Sequence, residues 1–326
     1  MKHNLKITAI ILGMFLLTQF IGLLVQHADV FHIQQEVNGT MQNVSNPQLY
    51  WLQPPEPQSQ SESFGFLGSL IIAFIIAIFL FFILSKFRIE FILKLWFFSV
   101  VFIALFISIY AFEKIMPFIV IAPSLALFIP IIIALPLAWF KIFGRNLYVH
   151  NSTELLVYPG IAAIFVPLLN LWTIILLLIL ISVYDIWAVW HSGFMQKMAK
   201  YQINKLNVFS GFFVPYVGKK LRQKIRLMRE KAKTSKKAQQ EFKRKKIKVN
   251  VAILGGGDVI FPIITAGVML SIFGFLSALF VIVGATLGLA YLFFNSEKKK
   301  FYPAMPFITT GIFLALIAYW ILGWVF

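Results

Sequence analysis

The sequence predicts an all-α, polytopic membrane protein, and three observations carry this prediction. The chain of 326 residues is 60% hydrophobic and only 13% charged, and phenylalanine alone contributes 36 residues. Typical soluble domains are about 25% charged, and a single core does not bury so much apolar surface. Apolar stretches of about 20 residues, long enough to cross a bilayer as helices, recur along the chain. Lysine and arginine segregate to alternate connections between these stretches.

Nine apolar stretches are predicted as transmembrane helices. Their approximate limits are residues 7–25, 64–84, 91–112, 116–140, 155–170, 171–190, 249–270, 272–294 and 303–326. The fifth is short and contains Pro159 and Pro167. The first follows two lysines, as a signal peptide would, but its apolar run is longer than a usual signal core and no clear small-residue cleavage site follows. We therefore expect an uncleaved anchor.

The positive charges predict the orientation and the organisation of the chain. With a cytoplasmic N-terminus, 28 of the 29 lysines and arginines fall in cytoplasmic segments, counting Lys94 at the cytoplasmic end of the third span, and only Lys114 falls outside. Nine spans then place the C-terminus on the extracytoplasmic side. Residues 1–190 are expected to hold six helices, with an extracytoplasmic loop at residues 26–63. Residues 191–248 form a basic cytoplasmic linker, and residues 249–326 hold the last three helices.

The linker carries most of the net charge of +17. Its 18 basic residues accompany only Glu230 and Glu241. Leu221, Ile225 and Met228 recur at helical spacing, which is typical of an amphipathic helix on anionic lipid headgroups. A solvated linker that fixes the topology explains the same charges, and we favour that interpretation. Nucleic-acid binding is not expected, because the sequence contains no recognition fold.

Acidic residues inside the predicted spans are the most informative feature. An aspartate at the centre of a membrane helix costs roughly 2.5–3.5 kcal/mol on insertion scales. Of 12 acidic residues, only Asp185 in the sixth span and Asp258 in the seventh lie within the predicted limits. At about 1.5 Å per residue they would lie about 8 Å and about 14 Å from the cytoplasmic ends of their helices. Three glycines, 255–257, precede Asp258 and weaken the helix there by about 1 kcal/mol each.

Two carboxyl groups at comparable depth suggest an aspartic dyad. Within hydrogen-bond reach, two such groups share one proton. The ionised member takes a proton from water, and the protonated member donates to a peptide carbonyl or to the leaving nitrogen. The residues alone leave two alternatives open, an ion or proton site in a transporter and two unrelated acids that neighbouring groups satisfy.

Other hydrolytic chemistries lack the residues they need. The chain has no H-E-x-x-H motif and no cysteine. All five histidines lie outside the predicted spans, so neither a metal centre nor a buried serine–histidine pair is expected. The five are His3, His27, His32, His150 and His191.

Three short motifs resemble those of the presenilin and signal peptide peptidase family. Tyr184-Asp185 resembles the family's YD motif, and Gly255-Gly256-Gly257-Asp258 resembles its GxGD motif. Pro303-Ala304-Met305-Pro306 opens the last span, where the family has Pro-Ala-Leu. The order of the motifs, the basic loop between the first two and the count of nine spans are also the family's. Met305 departs from the family's leucine, with which it is close in volume.

The resemblance implies an intramembrane aspartyl protease that hydrolyses peptide bonds within transmembrane segments of single-span proteins. Asp185 and Asp258 would be the catalytic residues. A further set would shape the active site or bind substrate, namely Tyr184, Gly255, Gly256, Gly257, Pro303, Ala304 and Met305. A cation channel or proton-coupled transporter that uses the same acids is the alternative.

The compact linker and the cytoplasmic N-terminus are similar to those of prokaryotic, particularly archaeal, presenilin homologues. This similarity implies a location in the plasma membrane of a prokaryote and activity without accessory subunits. The expected partners are the lipid bilayer and transmembrane protein substrates whose N-terminus lies outside, and no cofactor is expected. Because a substrate helix satisfies its own backbone, it must unwind and find new partners, which we expect by strand addition near residues 255–258 or 303–305.

Overall fold

The fold is almost entirely helical. The computed structural model describes residues 5–37, 39–86, 90–116, 126–144, 146–192, 210–216, 250–297 and 302–325. The α-helices are α1 (Leu5–His27), α2 (Gln60–Lys86), α3 (Glu90–Ile115), α4 (Phe128–Phe143), α5 (Leu147–Phe165), α6 (Leu171–Trp187), α7 (Gly256–Phe273), α8 (Phe275–Asn295) and α9 (Met305–Val325). The strands are β1 (His32–Val37), β2 (Thr40–Ser45), β3 (Gly211–Tyr216) and β4 (Asn250–Gly255), which pair as two antiparallel ribbons, β1–β2 and β3–β4.

Eight of these helices are long and apolar enough to cross a membrane, and α4 is a shorter apolar helix of 16 residues. The predicted all-α membrane architecture is therefore confirmed. In α2 only 11% of the most apolar window is buried inside the protein, as expected of a helix that faces lipid. The number of spans and the orientation of the termini stay predictions.

The packing centre consists of α1, α5 and α7, which contact one another. Phe15, Tyr158 and Ile263 are among the largest fully buried side chains, one from each of these helices. The helices α8 and α9 pack through glycines, and a side chain on Gly284 would collide with the backbone of Gly311. Small residues let membrane helices approach closely, and van der Waals contact then holds them together.

The predicted limits of the fourth and fifth spans are wrong. The fourth was expected at residues 116–140, but α4 covers Phe128–Phe143, and residues 117–125 lie outside the described parts. The fifth was expected from residue 155, but α5 begins at Leu147. Asn146 caps this earlier start, because its side chain accepts a hydrogen bond from the N–H of Tyr148 at 2.9 Å. The additional turns at the start of α5 include the polar residues His150, Asn151 and Glu154.

The predicted seventh span is also wrong at its start. Residues 250–255 form β4 and not helix, and they pair with β3 from Tyr216 opposite Asn250 to Gly211 opposite Gly255. The β-branched residues Val251 and Ile253 favour a strand, and the following glycines disfavour helix. The helix α7 begins only at Gly256. Asp258 therefore lies in the first turn of its helix and not about 14 Å inside it, as the predicted limits implied.

The two predicted connecting segments contain regular structure. The extracytoplasmic loop at residues 26–63 holds the β1–β2 hairpin, which turns at Gly39 with φ of 79°, and a 3₁₀-helix at Pro47–Leu52. The linker at residues 191–248 holds β3, in which Phe212 is 0% exposed, so this part is packed and not solvated. The candidate amphipathic helix of the linker lies outside the described residues.

Candidate active site

Asp185 lies in the last turn of α6, buried against the start of α9. The residue is 6% exposed, and its Oδ2 accepts a hydrogen bond from the N–H of Met305 at 3.0 Å. The first N–H groups of a helix have no partner within it, so the start of α9 offers donors to this carboxylate. About one turn earlier, the hydroxyl of Ser182 donates to the hydroxyl of Thr309 at 2.8 Å. Asp185 is thus fixed between two helices.

Asp258 lies in the first turn of α7, directly after β4. Gly255 is the N-cap of this helix, and it lies beside the Asp258 carboxylate, since a Cβ on Gly255 would be 3.2 Å from Oδ2. A helix N-terminus favours a negative charge, because its free N–H groups carry the positive end of the helix dipole. The next residue, Val259, is fully buried, and its carbonyl accepts a hydrogen bond from Nε2 of Gln19 in α1 at 3.1 Å. The first turn of α7 is therefore positioned both by the preceding strand β4 and by a hydrogen bond from α1.

The fold places the two aspartates on neighbouring helices. The end of α6 and the start of α7 belong to helices that contact each other, and the charge of Asp185 acts on Asp258. Within the described parts of the chain, no group of three or more histidines, aspartates or glutamates has the placement of a metal site. Two interacting carboxyl groups can divide the roles of general acid and general base between them.

The glycines before Asp258 leave room where a larger residue would crowd the turn. A Cβ on Gly255 would lie 3.2 Å from Oδ2 of Asp258, which is a tight contact. A Cβ on Gly256 would lie 3.0 Å from the ring of Tyr158. Gly257 is exposed, and no such crowding arises there. The first two glycines therefore have a steric role in this turn.

The remaining predicted site residues are those at the start of α9 and Tyr184, which precedes Asp185 in α6. Pro303 and Met305 are buried and Ala304 is partly buried, at the start of α9 that faces this aspartate. The ring of Tyr184 points instead to α2, where it packs edge-on against Phe74 with ring centroids 6.0 Å apart. Tyr184 therefore belongs to a packed helix interface, one of the two roles that a tyrosine beside the dyad can take.

The sequence did not reveal a second buried charged group in α4 and α5. Nζ of Lys141 lies 2.7 Å from Oε1 of Glu154, and the two side chains are 4% and 1% exposed. Nε2 of His150 lies 3.4 Å from the same oxygen. The expectation that only two acids lie within spans is therefore wrong, as is the expectation that every histidine lies outside them. The cap at Asn146 is the signal that would have placed Glu154 inside the helix.

This buried group faces the strand that leads to Asp258. The backbone N–H of Gly211 donates to Oε1 of Glu154 at 3.3 Å, and Nε2 of His150 lies 2.8 Å from the carbonyl oxygen of Gly211. The side-chain amide of Asn151 exchanges two hydrogen bonds with the backbone of Phe213, at 2.8 Å and 3.0 Å. One edge of β3 is therefore occupied by α5 and its other edge by β4.

The outer edge of the ribbon belongs to β4. Because Gly211 and Phe213 direct their backbone groups to α5, the alternation of an antiparallel pair directs those of Val251 and Ile253 away from β3. Their side chains are 42% and 43% exposed, and within the described residues β4 pairs only with β3. An extended peptide can add to such an edge by backbone hydrogen bonds.

Comparison with known proteins identifies the family. Residues 50–326 match the family model described as signal-peptide peptidase, presenilin aspartyl protease. A structure of a presenilin family intramembrane aspartate protease in space group C222 matches with a TM-score of 0.57 at 16% identity, covering 95% of this chain and 97% of that one. A second, in space group P2, matches with a TM-score of 0.54 at 17% identity, covering 98% and 97%. No curated protein matches the chain in sequence. The family and enzyme class predicted from the motifs are confirmed: the chain belongs to the signal-peptide peptidase and presenilin family, and it is an intramembrane-cleaving aspartic endopeptidase.

Proposed function

We propose that Asp185 and Asp258 are the catalytic pair of this protease. The ionised carboxylate takes a proton from water while the water oxygen bonds to the peptide carbonyl carbon, and the protonated carboxyl donates to the carbonyl oxygen. In the collapse of the resulting diol, the ionised carboxyl group takes a proton from one hydroxyl, the C–N bond breaks, and the other carboxyl group donates its proton to the leaving nitrogen. The step needs neither a metal nor a covalent intermediate. The observation that carries the proposal is the placement of these two aspartates in the last turn of α6 and the first turn of α7, two helices that contact each other.

The motif residues have supporting roles in this proposal. The N–H of Met305 orients Asp185 through a hydrogen bond of 3.0 Å, and the turn at Pro303 and Ala304 presents that N–H. Gly255 and Gly256 keep side chains away from the turn that carries Asp258. Gly257 leaves the exposed face of this turn open to a substrate backbone.

The proposed substrates are transmembrane segments of single-span proteins whose N-terminus lies outside. A membrane helix hides its peptide bonds, so the segment must unwind before cleavage. The backbone of Val251 and Ile253 offers new hydrogen-bond partners a short distance before Asp258 along the chain. We propose strand addition to this edge of β4, with water reaching the dyad from the cytoplasmic side. The protease would act in a prokaryotic plasma membrane without accessory subunits.

A peptide with a hydroxyl group in place of the scissile amide tests the proposal. Such isosteres resemble the tetrahedral species, and transition-state analogues bind about 10²-fold or more tightly than substrates. We expect the isostere to inhibit cleavage and to raise the melting temperature of the wild type. Asp185→Asn and Asp258→Asn should lose the stabilisation, and Asp29→Asn in the outer loop should keep it. Equal stabilisation of the wild type and both active-site variants would contradict the proposal.

A further inference from the structure

The Lys141–Glu154 ion pair is a buried charged feature that the two aspartates do not take part in. Both side chains are almost fully buried in helices, and a buried charge in a membrane helix is costly unless it is paired and used. Its position is informative, because Glu154 also accepts the N–H of Gly211. The ion pair therefore also interacts with β3, because Glu154 accepts a hydrogen bond from the backbone of that strand.

Three side chains on one face of α5 hold the edge of β3. His150, Asn151 and Glu154, called here the α5 clamp, make four contacts with the backbone of Gly211 and Phe213. This replaces the hydrogen bonds that a third strand would provide. Lys141 lies behind the clamp and neutralises Glu154 in the apolar interior.

The clamped strand is joined directly to the turn of Asp258. Gly211 is the residue opposite Gly255 in the ribbon, and Gly255 is the N-cap of α7. The N–H of Gly256 also donates to the carbonyl oxygen of Ser210 at 3.3 Å. A shift of β3 would therefore move Gly255, the N-cap residue that lies beside the Asp258 carboxylate. Misplacement by about 1 Å can reduce turnover about 10²-fold.

We propose that the α5 clamp positions Asp258, with Glu154 and Asn151 as positioning residues that act through β3. The inference rests on the proposed catalytic role of Asp258. Although α5 carries neither aspartate, it would determine the position and orientation of the Asp258 side chain. The clamp also sets the outer edge of β4, because β4 takes its register from β3.

Four variants separate positioning from general folding. Glu154→Leu removes the acceptor for Gly211 and leaves Lys141 unpaired. Lys141→Met/Glu154→Gln removes both charges but keeps an oxygen that accepts from Gly211. Asn151→Ala removes two neutral hydrogen bonds from a half-buried site, so it should fold even where Glu154→Leu does not. Ser152→Ala, exposed on the same helix, is the matched control.

The first measurement is amide hydrogen exchange in Gly211–Tyr216 and Asn250–Gly255. We expect faster exchange in both strands for Asn151→Ala and Glu154→Leu, and wild-type rates for the double variant and for Ser152→Ala. Exchange in α8 and α9 should not change, because the clamp bonds to β3 and pairs with α4. Unchanged exchange in both strands of Asn151→Ala would overturn the clamp itself, whether or not the protein cleaves peptides.

The second measurement is cleavage of a single-span peptide. We expect Asn151→Ala and Glu154→Leu each to reduce kcat/KM and the affinity for the hydroxyl isostere together, by about tenfold or more. Lys141→Met/Glu154→Gln keeps the acceptor for Gly211 and should recover most of the loss seen in Glu154→Leu. Faster strand exchange with unchanged kcat/KM would overturn the positioning role. If Asp258→Asn cleaves like the wild type while exchange responds as expected, the clamp stands as a structural device and the proposed function fails instead.

Discussion

Oδ2 of Asp185 lies 3.0 Å from the backbone nitrogen of Met305, and this hydrogen bond joins the end of α6 to the start of α9. Hydrogen bonds to charged groups contribute about 1.5–3 kcal/mol. Because the donor is a backbone N–H, the side chain at position 305 can vary without loss of the bond. This explains how methionine can stand where the family has leucine.

Met305→Pro tests the role of this N–H. Proline lacks the donor but is well tolerated in the first turn of a helix, which is where Met305 lies. We expect kcat for a single-span peptide to fall by about tenfold or more, since the lost bond is worth about 1.5–3 kcal/mol. Met305→Leu keeps the N–H and should cleave within about twofold of the wild type. Equal activity of the two variants would show that the N–H does not orient Asp185.

Ser182 and Thr309 form a second link between α6 and α9, at 2.8 Å and close to Asp185. Interhelical hydrogen bonds in membrane proteins average about 0.6 kcal/mol in double-mutant cycles. We therefore expect Ser182→Ala and Thr309→Val to show a coupling free energy of about 0.6 kcal/mol in unfolding experiments. Additive effects of the two substitutions, with no coupling, would contradict a direct bond.

Gly284 tests the packing of α8 against α9. A Cβ there would lie 2.6 Å from Cβ of Ala315 and would collide with the carbonyl oxygen of Gly311, which is backbone and cannot turn away. We expect Gly284→Ala to lower the free energy of unfolding by about 1–3 kcal/mol. Gly323 in α9 has no neighbour within 4 Å, so Gly323→Ala should be neutral or stabilising by up to about 1 kcal/mol. Similar losses for both would argue against this interface.

The architecture was predictable because membrane helices are determined largely by local composition. A continuous apolar stretch such as Phe275–Asn295 has few other stable states in a bilayer. Asp185 and Asp258 are recognisable for the same reason. An acidic residue within an apolar stretch is costly to insert into a membrane, and this cost is evident from the local sequence alone. Both are therefore recognisable from the sequence without knowledge of their contacts.

Features that depend on distant partners were not predictable. The residues of β4 are mostly apolar and continuous with α7 in sequence, and they form a strand because β3, which lies within the basic linker, pairs with them. Glu154 looked like a residue of a loop, because nothing local shows that Lys141 lies 2.7 Å from it. In both cases the decisive interaction is tertiary, and only the cap at Asn146 gave a local indication.

The most direct test of the central claim is cleavage of a labelled single-span peptide by the purified protein in detergent or lipid. Wild type, Asp185→Asn, Asp258→Asn and the control Asp29→Asn should be compared at equal amounts of folded protein. The account predicts that both active-site variants lose cleavage and that Asp29→Asn retains it. Cleavage at the wild-type rate by either Asp185→Asn or Asp258→Asn would contradict the two-aspartate mechanism.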